Sequence, residues 1–338
     1  MIWNHLFIID PIENLHPQLD SSLRMMFALW ERKHKIYICT NQELYLETQE
    51  KKDLKQQTVF RRALCSELSF KNGSNYEMPL ISIQESRSHD LEFFHGIHMR
   101  KDPPFDMNYV ASTWLLDNLS KKTKIYNRPD ALRNANEKLL ITFFPDSIAP
   151  LLVTSKPHKI FEFIRSQKEV VLKPLDLFGG RGVIRIASQD YDDHSLLQLL
   201  QNTMRDEQGQ TSLRLVQPFN KSIAEGEIRV FTAFGEPLAW CLKKPQHGEF
   251  LANTRAGATL HPMTPTQQLL ERVTNIAQKL QESGIQLVGF DIIGDLVSEI
   301  NITSPRMLIA PGDSRDKPFQ RFAELCELDL KNSLDYRP

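Results

Sequence analysis

Four cysteines are scattered through this chain of 338 residues, and none of them belongs to a Cys-x-x-Cys pair. Cys39, Cys65, Cys241 and Cys326 are spaced too widely for a zinc ribbon and are too few for the disulfide framework of a small secreted domain. Net charge is lacking as well: 41 basic and 42 acidic side chains leave −1, so no global field attracts nucleic acid. The basic runs at Lys51-Lys52, Arg61-Arg62 and Lys121-Lys122-Thr123-Lys124 are short and read as solvated loops and helix ends. No apolar run approaches the ~20 residues needed to span a bilayer. The opening Met-Ile-Trp-Asn-His-Leu-Phe-Ile-Ile-Asp lacks a basic n-region and a small-residue cleavage site, so it reads as a first strand rather than a signal peptide. Internal repeats and low-complexity tracts are absent too. Neither a membrane span nor a nucleic-acid partner is expected, whereas a cytoplasmic location with reduced thiols is. In that compartment the glycosylation patterns Asn220-Lys-Ser222 and Asn301-Ile-Thr303 have no meaning.

The composition that remains, 41% apolar and 25% charged, is that of a globular protein long enough for about two domains or two to three lobes. Leu6 to Asp10 reads as a strand, Asp20-Ser21-Ser22 as a cap for a helix through Leu23, Met26, Phe27 and Trp30, and Ile36 to Cys39 as a second strand. This β-α-β opening predicts an α/β lobe with a parallel sheet. Residues 47 to 95 are polar and weakly patterned. A strand then ends in Arg100-Lys101-Asp102, which Pro103-Pro104 holds extended ahead of a helix from Tyr109 to Leu119. Such a loop suits carboxylate recognition or is an ordinary strand-to-helix connection. His95 and His98 have no carboxylate or cysteine at ligand spacing, which favours packing or surface roles over metal binding.

In the middle of the chain, Asn127 to Lys138 carries helix-start signals and predicts a helix bearing Lys138. Val170 to Pro174 is a buried-type strand containing Lys173; it runs through Gly179-Gly180-Arg181-Gly182 and returns over Val183 to Ile186. Strand, glycine loop and strand make a flap whose backbone N–H groups can close over phosphates, with Lys173 as a point charge. The Gly-Lys-Ser/Thr order of a P-loop is missing, and a glycine-rich hairpin without function remains an alternative. Leu213 to Gln217 is a further strand, and Gln217 and Phe219 stand where backbone and ring can contact an adenine. Glu227 and Arg229 share a strand face and suit either ribose and phosphate contacts or a cross-strand ion pair.

The stretch from Gly289 to Pro305 is the most informative. Leu287 to Ile293 and Leu296 to Ile302 are strands joined by the turn Gly294-Asp295. Period 2 puts Glu299 and Asn301 on one face, and Asp291 can lie opposite them. The hairpin is either a metal shelf of hard oxygen donors suited to Mg²⁺ or a solvated acidic face.

Taken in order, these pieces resemble prokaryotic-type glutathione synthetase, an ATP-grasp ligase family. The resemblance rests on Asp10-Pro11-Ile12, Asp20-Ser-Ser22, Met99-Arg-Lys-Asp-Pro-Pro-Phe-Asp106, Asn136-Glu-Lys-Leu139, Leu172-Lys-Pro-Leu-Asp176 and the hairpin, and it covers most of residues 1 to 305. It implies an α/β ATP-grasp architecture: an N-terminal substrate domain over 1–127, a central lid over 128–212 and a C-terminal half over 213–338. Lys138, Lys173, Gly179, Gly180, Gln217, Phe219 and Glu227 would contact ATP, and Arg229 would steady the reacting phosphoryl group. Asp291, Glu299 and Asn301 would hold two Mg²⁺ ions, with Mn²⁺ as a substitute. Arg100, Asp102, Asn253, Arg255 and Ser304 would contact substrate. The implied reaction joins γ-glutamylcysteine and glycine at the expense of ATP through an acyl phosphate, in an assembly of identical chains.

Departures from the family fall in the phosphate loop and around Lys244 to Thr259, and after Ser304-Pro305 the stretch from Arg306 replaces the family's acidic helix start. Leu177 stands where the family has the first glycine of its phosphate loop, and Leu251 and Thr259 stand where it has arginines. Lys244 replaces a third arginine, and Arg255 would restore one charge from a shifted position. Leucine offers no donor, and lysine is not equivalent to a bidentate guanidinium. A ligase with another acceptor, or a nucleotide-binding module without turnover, therefore stays beside glutathione synthesis as a reading.

Overall fold

The computed structural model describes residues 1–17, 19–51, 56–71, 80–205, 209–253 and 257–335. Lys52 of the first basic run and Arg255 lie outside these residues.

The N-terminal lobe consists of β1 (Asn4–Ile8), α1 (Ser21–Glu31), β2 (Lys35–Cys39), β3 (Leu44–Lys51), β4 (Gln56–Lys71), β5 (Leu80–Ile83), β6 (Arg87–Asp90), β7 (Gly96–Met99), α2 (Met107–Leu115), β8 (Lys124–Tyr126) and α3 (Pro129–Asn134). β1 lies between β2 and β7 and is parallel to both, and β8 continues the parallel run beyond β7. β1 is an apolar run without strict alternation because helices or loops cover both of its faces. The Asp20 side chain accepts from Leu23 N at 2.9 Å and so caps α1. The described residues between 47 and 95, illegible in the sequence, build an antiparallel extension in which β4 pairs with β2, β3, β5 and β6. A strand that serves several partners along its length carries no single periodicity, which is why its pattern is weak.

The central lobe holds β9 (Leu152–Thr154), α4 (Pro157–Gln167), β10 (Glu169–Pro174), β11 (Ile184–Ala187), α5 (Asp193–Thr203) and β12 (Arg214–Pro218). Its antiparallel sheet runs β11-β10-β12-β9. Ile160 and Ile164 of α4 and Leu196 and Leu200 of α5 form with Val170, Leu172 and Val216 a core separate from the rest. β12 belongs to this sheet, so the change of sheet falls between Pro218 and Glu227 rather than at 212/213.

The C-terminal lobe contains β13 (Glu227–Ala233), β14 (Glu236–Lys244), β15 (Thr259–Pro262), α6 (Gln267–Glu282), β16 (Leu287–Ile293), β17 (Leu296–Asn301) and α7 (Lys317–Asp335), with strand order β15-β14-β13-β16-β17. One face of this sheet packs on Leu269, Val273, Ile276 and Leu280 of α6. The other face presents Phe231, Ala233, Ala239 and Leu287 to Phe319, Phe322, Ala323, Cys326 and Leu330 of α7 and to Trp3 and Phe7 of the first lobe. α7 is further tied to α1 by Arg32, which donates to both oxygens of Glu327 at 2.8 Å. Among the described residues, no helix is long and apolar enough to cross a membrane. His98 is fully buried, with its Nε2 3.1 Å from Nδ1 of His5 and its ring stacked on Phe7 at 4.2 Å; the fold brings to it a cysteine that spacing along the chain did not. These two histidines and Cys326 place donor atoms within 4.8 Å of one another.

Candidate active site

A cavity of about 310 Å³ opens where the glycine flap of the central lobe faces the C-terminal sheet. Period 2 along β13 places Glu227 and Arg229 on the same face as Phe231 and Ala233, so the polar end of that face continues the apolar end packed on α7. Arg229 stands opposite Asp291 of β16, which in turn stands opposite Glu299 of β17, and Asn301 pairs with Gly289. The hairpin therefore brings its three polar residues together as the spacing suggested. Gly289 leaves room for the Arg229 guanidinium, which a Cβ there would meet at 2.7 Å.

Asp291 is buried and fully engaged. Its Oδ2 accepts from Arg229 Nη1 at 2.9 Å and from Asn301 Nδ2 at 2.9 Å, and its Oδ1 accepts from Lys243 Nζ at 2.7 Å. Burial alone would raise this carboxyl, but Arg229 and Lys243 hold it well below the usual carboxylate range. Lys243 also reaches Glu227 Oε2 at 2.5 Å. The Glu227 carboxyl is pushed up by burial, although Lys243 pulls against that shift. The lysine that enters the site is thus Lys243; Lys244, expected in place of an arginine, points outward and is exposed. Alternation supplied the missing signal, because Ala239, Cys241 and Lys243 are the buried members of β14.

Lys138 does not sit on a helix. α3 ends at Asn134, and Lys138 lies in the turn before a short 3-10 segment over Leu140–Phe143, where the Asn136 side chain accepts from Lys138 N at 3.0 Å. An asparagine bonded to the backbone two residues on favours a turn over a continued helix. The Lys138 ammonium is held by the carbonyl of Leu177 at 2.5 Å and lies 3.5 Å from Glu299 Oε1. Lys173 reaches the carbonyl of Ser298 at 3.5 Å, so both lysines bridge the flap region and β17. Glu137, given no role by the sequence, accepts from Ile302 N at 2.7 Å and from Thr303 N and Oγ1 at 2.9 Å. It thereby pins the end of the hairpin.

Gln217 and Phe219 line the cavity at the lobe junction, and the Arg185 guanidinium lies 4.0 Å from the centre of the Phe219 ring. Gly179 and Gly180 both adopt positive φ, +64° and +78°, where glycine carries no steric penalty. Asn253 donates to the Gly179 carbonyl, and a Cβ on Gly180 would touch Leu251 at 3.4 Å, so the segment carrying Leu251 rests on the flap. Asp102 and Ser304 line the far end of the cavity. Arg100 does not: it is buried beneath, with Nε donating to Ser22 Oγ and Nη2 to the Pro305 carbonyl, both at 3.0 Å. Arg181 and Arg306, to which the sequence gave no site role, are in the lining.

Two family descriptions match the chain, the prokaryotic glutathione synthetase N-terminal domain over residues 3–133 and the prokaryotic glutathione synthetase ATP-grasp domain over residues 137–310. A glutathione synthetase of Prochlorococcus marinus subsp. pastoris is 32% identical over 301 residues, which is 89% of this chain and 91% of that one. The glutathione synthetase of Bordetella pertussis is 33% identical over 306 residues, 90% and 92% of the two chains. Among solved structures, D-cycloserine synthetase superposes with a TM-score of 0.64 at 14% identity, covering 96% of this chain and 99% of its own. The ATP-grasp ligase PsnB gives 0.59 at 13%, covering 99% and 100%, and at such identities these two likenesses speak for the fold alone. Both halves of the molecule, their order and the cavity between flap and sheet agree with one assignment: the chain belongs to the prokaryotic glutathione synthetase family of ATP-grasp ligases.

Proposed function

We propose that this ligase joins the cysteinyl carboxylate of γ-glutamylcysteine to the amine of glycine, converting ATP to ADP and phosphate, with Mg²⁺ as its divalent ion. The observation that carries the reading is the convergence of Lys138, Lys173, Arg229 and Lys243 with Glu299 and Asn301 around one cavity beneath a glycine flap. A carboxylate and a triphosphate repel one another until fixed cations neutralise them, and cations held in a partly dry cleft act more strongly than in water. In this reading Gln217 and Phe219 contact the adenine, the N–H groups of the flap contact the phosphates, and Arg229, steadied by Asp291, contacts the phosphoryl group in transfer. The flap and the Leu251 segment exclude water from the acyl phosphate, which would otherwise hydrolyse.

The donor chemistry fits a hard divalent cation. Glu299 offers a partly exposed carboxylate, and Asn301 makes its protein bonds, to Gly289 O and Asp291, through its nitrogen, so the oxygen is the atom it can offer. Held there, such an ion would supply positive charge against the charge that develops on the phosphoryl group. Small-molecule substrates without a nucleic-acid or membrane partner, a cytoplasmic location and an assembly of identical chains complete the reading on the family resemblance.

Purified protein given Mg-ATP and γ-glutamylcysteine, with and without glycine, tests the proposal by assay of ADP and tripeptide. Equal yields of ADP and glutathione, dependent on all three substrates, are expected. The apolar Leu251 at the flap favours one second reading, a ligase with a different acceptor. ADP release only with another amine would establish that reading; ATP binding without ADP from any carboxylate and amine would leave a module without turnover.

A further inference from the structure

Lys243 bears on how many divalent ions the site takes. It is buried on β14 opposite Glu227, and its ammonium touches two carboxylates at once, Glu227 at 2.5 Å and Asp291 at 2.7 Å. The second oxygen of Asp291 is occupied by the Arg229 guanidinium and the Asn301 amide, each at 2.9 Å. A divalent ion on Asp291 would stand about 2.1 Å from one of these oxygens. That places it in direct opposition to an ammonium or a guanidinium, in a pocket with little water to screen the repulsion. Glu299 is different: its ion-pair partner among the described residues, Lys138, is 3.5 Å away, and its side chain keeps 23% of its surface exposed.

We propose that the Lys243 ammonium stands in for one of the two metal ions implied by the family resemblance, so that the chain takes a single divalent cation with its nucleotide. That cation is held by Glu299 and Asn301, while Asp291 anchors Lys243 and Arg229 instead of ligating metal. An ammonium has three N–H donors. Two are spent on Glu227 and Asp291, which leaves one for a phosphoryl oxygen in the cavity that Lys243 lines. A fixed lysine supplies positive charge with no ion to recruit, and it positions Asp291 and, through it, Arg229. The inference rests on the ligase reading, since it presupposes a bound triphosphate.

Counting Mn²⁺ on the whole protein saturated with a non-hydrolysable ATP analogue, by electron paramagnetic resonance of the free ion, tests it without turnover. The expected count is one per chain. Glu299→Gln loses that ion at the same concentrations, and Asp291→Asn keeps it. Lys243→Met rises to two because Glu227 and Asp291 are released together, while Lys243→Arg, which retains the charge, stays at one. Two ions on the unaltered protein, or loss of the ion in folded Asp291→Asn, overturns the proposal. The count on the unaltered protein decides even where a variant does not fold. An analogue that fails to bind in calorimetry sinks the ligase reading and the single-ion assignment together, whereas binding with two ions sinks the latter alone.

Discussion

Acidification should unfold this protein through two histidines that lie far from the cavity. His5 and His98 are fully buried, and burial is the first cause lowering both, with His98 brought down to about 3 from the ordinary 6.5. In the unfolded chain both return to about 6.5 and bind protons that the folded state refuses. Their effect on stability is therefore absent above about pH 7 and grows as pH falls from 6.5 toward 3. Between pH 7.5 and pH 5, a histidine neutral in the fold and free in the unfolded chain costs about 2 kcal/mol, the figure for His98, and His5 adds to it in the same direction. That is a large share of the ~5–15 kcal/mol that holds a typical domain together. Buried acids such as Glu137 and Glu227, raised in the fold, change in the opposite sense, so the histidine contribution is isolated by difference. His98→Gln keeps a neutral hydrogen-bonding side chain and removes one titration. Urea unfolding at pH 7.5 and pH 5 should show the variant losing about 2 kcal/mol less than the parent across that interval. Equal losses in the two proteins would refute the argument, because they would mean that His98 takes up its proton while folded.

Two other perturbations separate flap from scaffold. Gly180→Val puts a β-branched residue at φ +78° with Leu251 already at 3.4 Å, and it should raise the KM for ATP about tenfold or more with little change in Tm; an unchanged KM would remove the flap from the nucleotide site. Phe322→Ala empties a fully buried ring position on α7 and should cost about 3–5 kcal/mol in urea unfolding, whereas a cost below about 1 kcal/mol would mean that α7 is not part of the core.

Local pattern carried much of this molecule. The β-α-β opening, the glycine flap and the hairpin over 287–301 are legible because each is a run whose period, cap or turn lies within about fifteen residues. The chemistry of the site is legible in the same way: Lys173, Arg229, Glu299 and Asn301 are of the right type and order for phosphate and a hard cation. Lys138 was legible as a residue but not as a structure, since Asn136 turns the backbone where helix signals continue. Lys243 was missed for the adjacent Lys244 because register along β14 is fixed by its neighbours, and one step moves a side chain to the opposite face.

By itself, then, the sequence determined the β-α-β opening, the glycine flap and the hairpin, which follow from short-range periodicity and turn chemistry, while its motifs carried the resemblance to the ATP-grasp family. Only tertiary structure decided which charges meet. Asp291 is encoded as an acid in a hairpin, and its partners Arg229 and Lys243 stand 62 and 48 residues away. The same holds for α7, whose apolar stripe becomes informative once β1, β13 and β14 supply the surface that covers it. Contacts between distant residues depend on how sheets pack and register, and no local pattern records that choice.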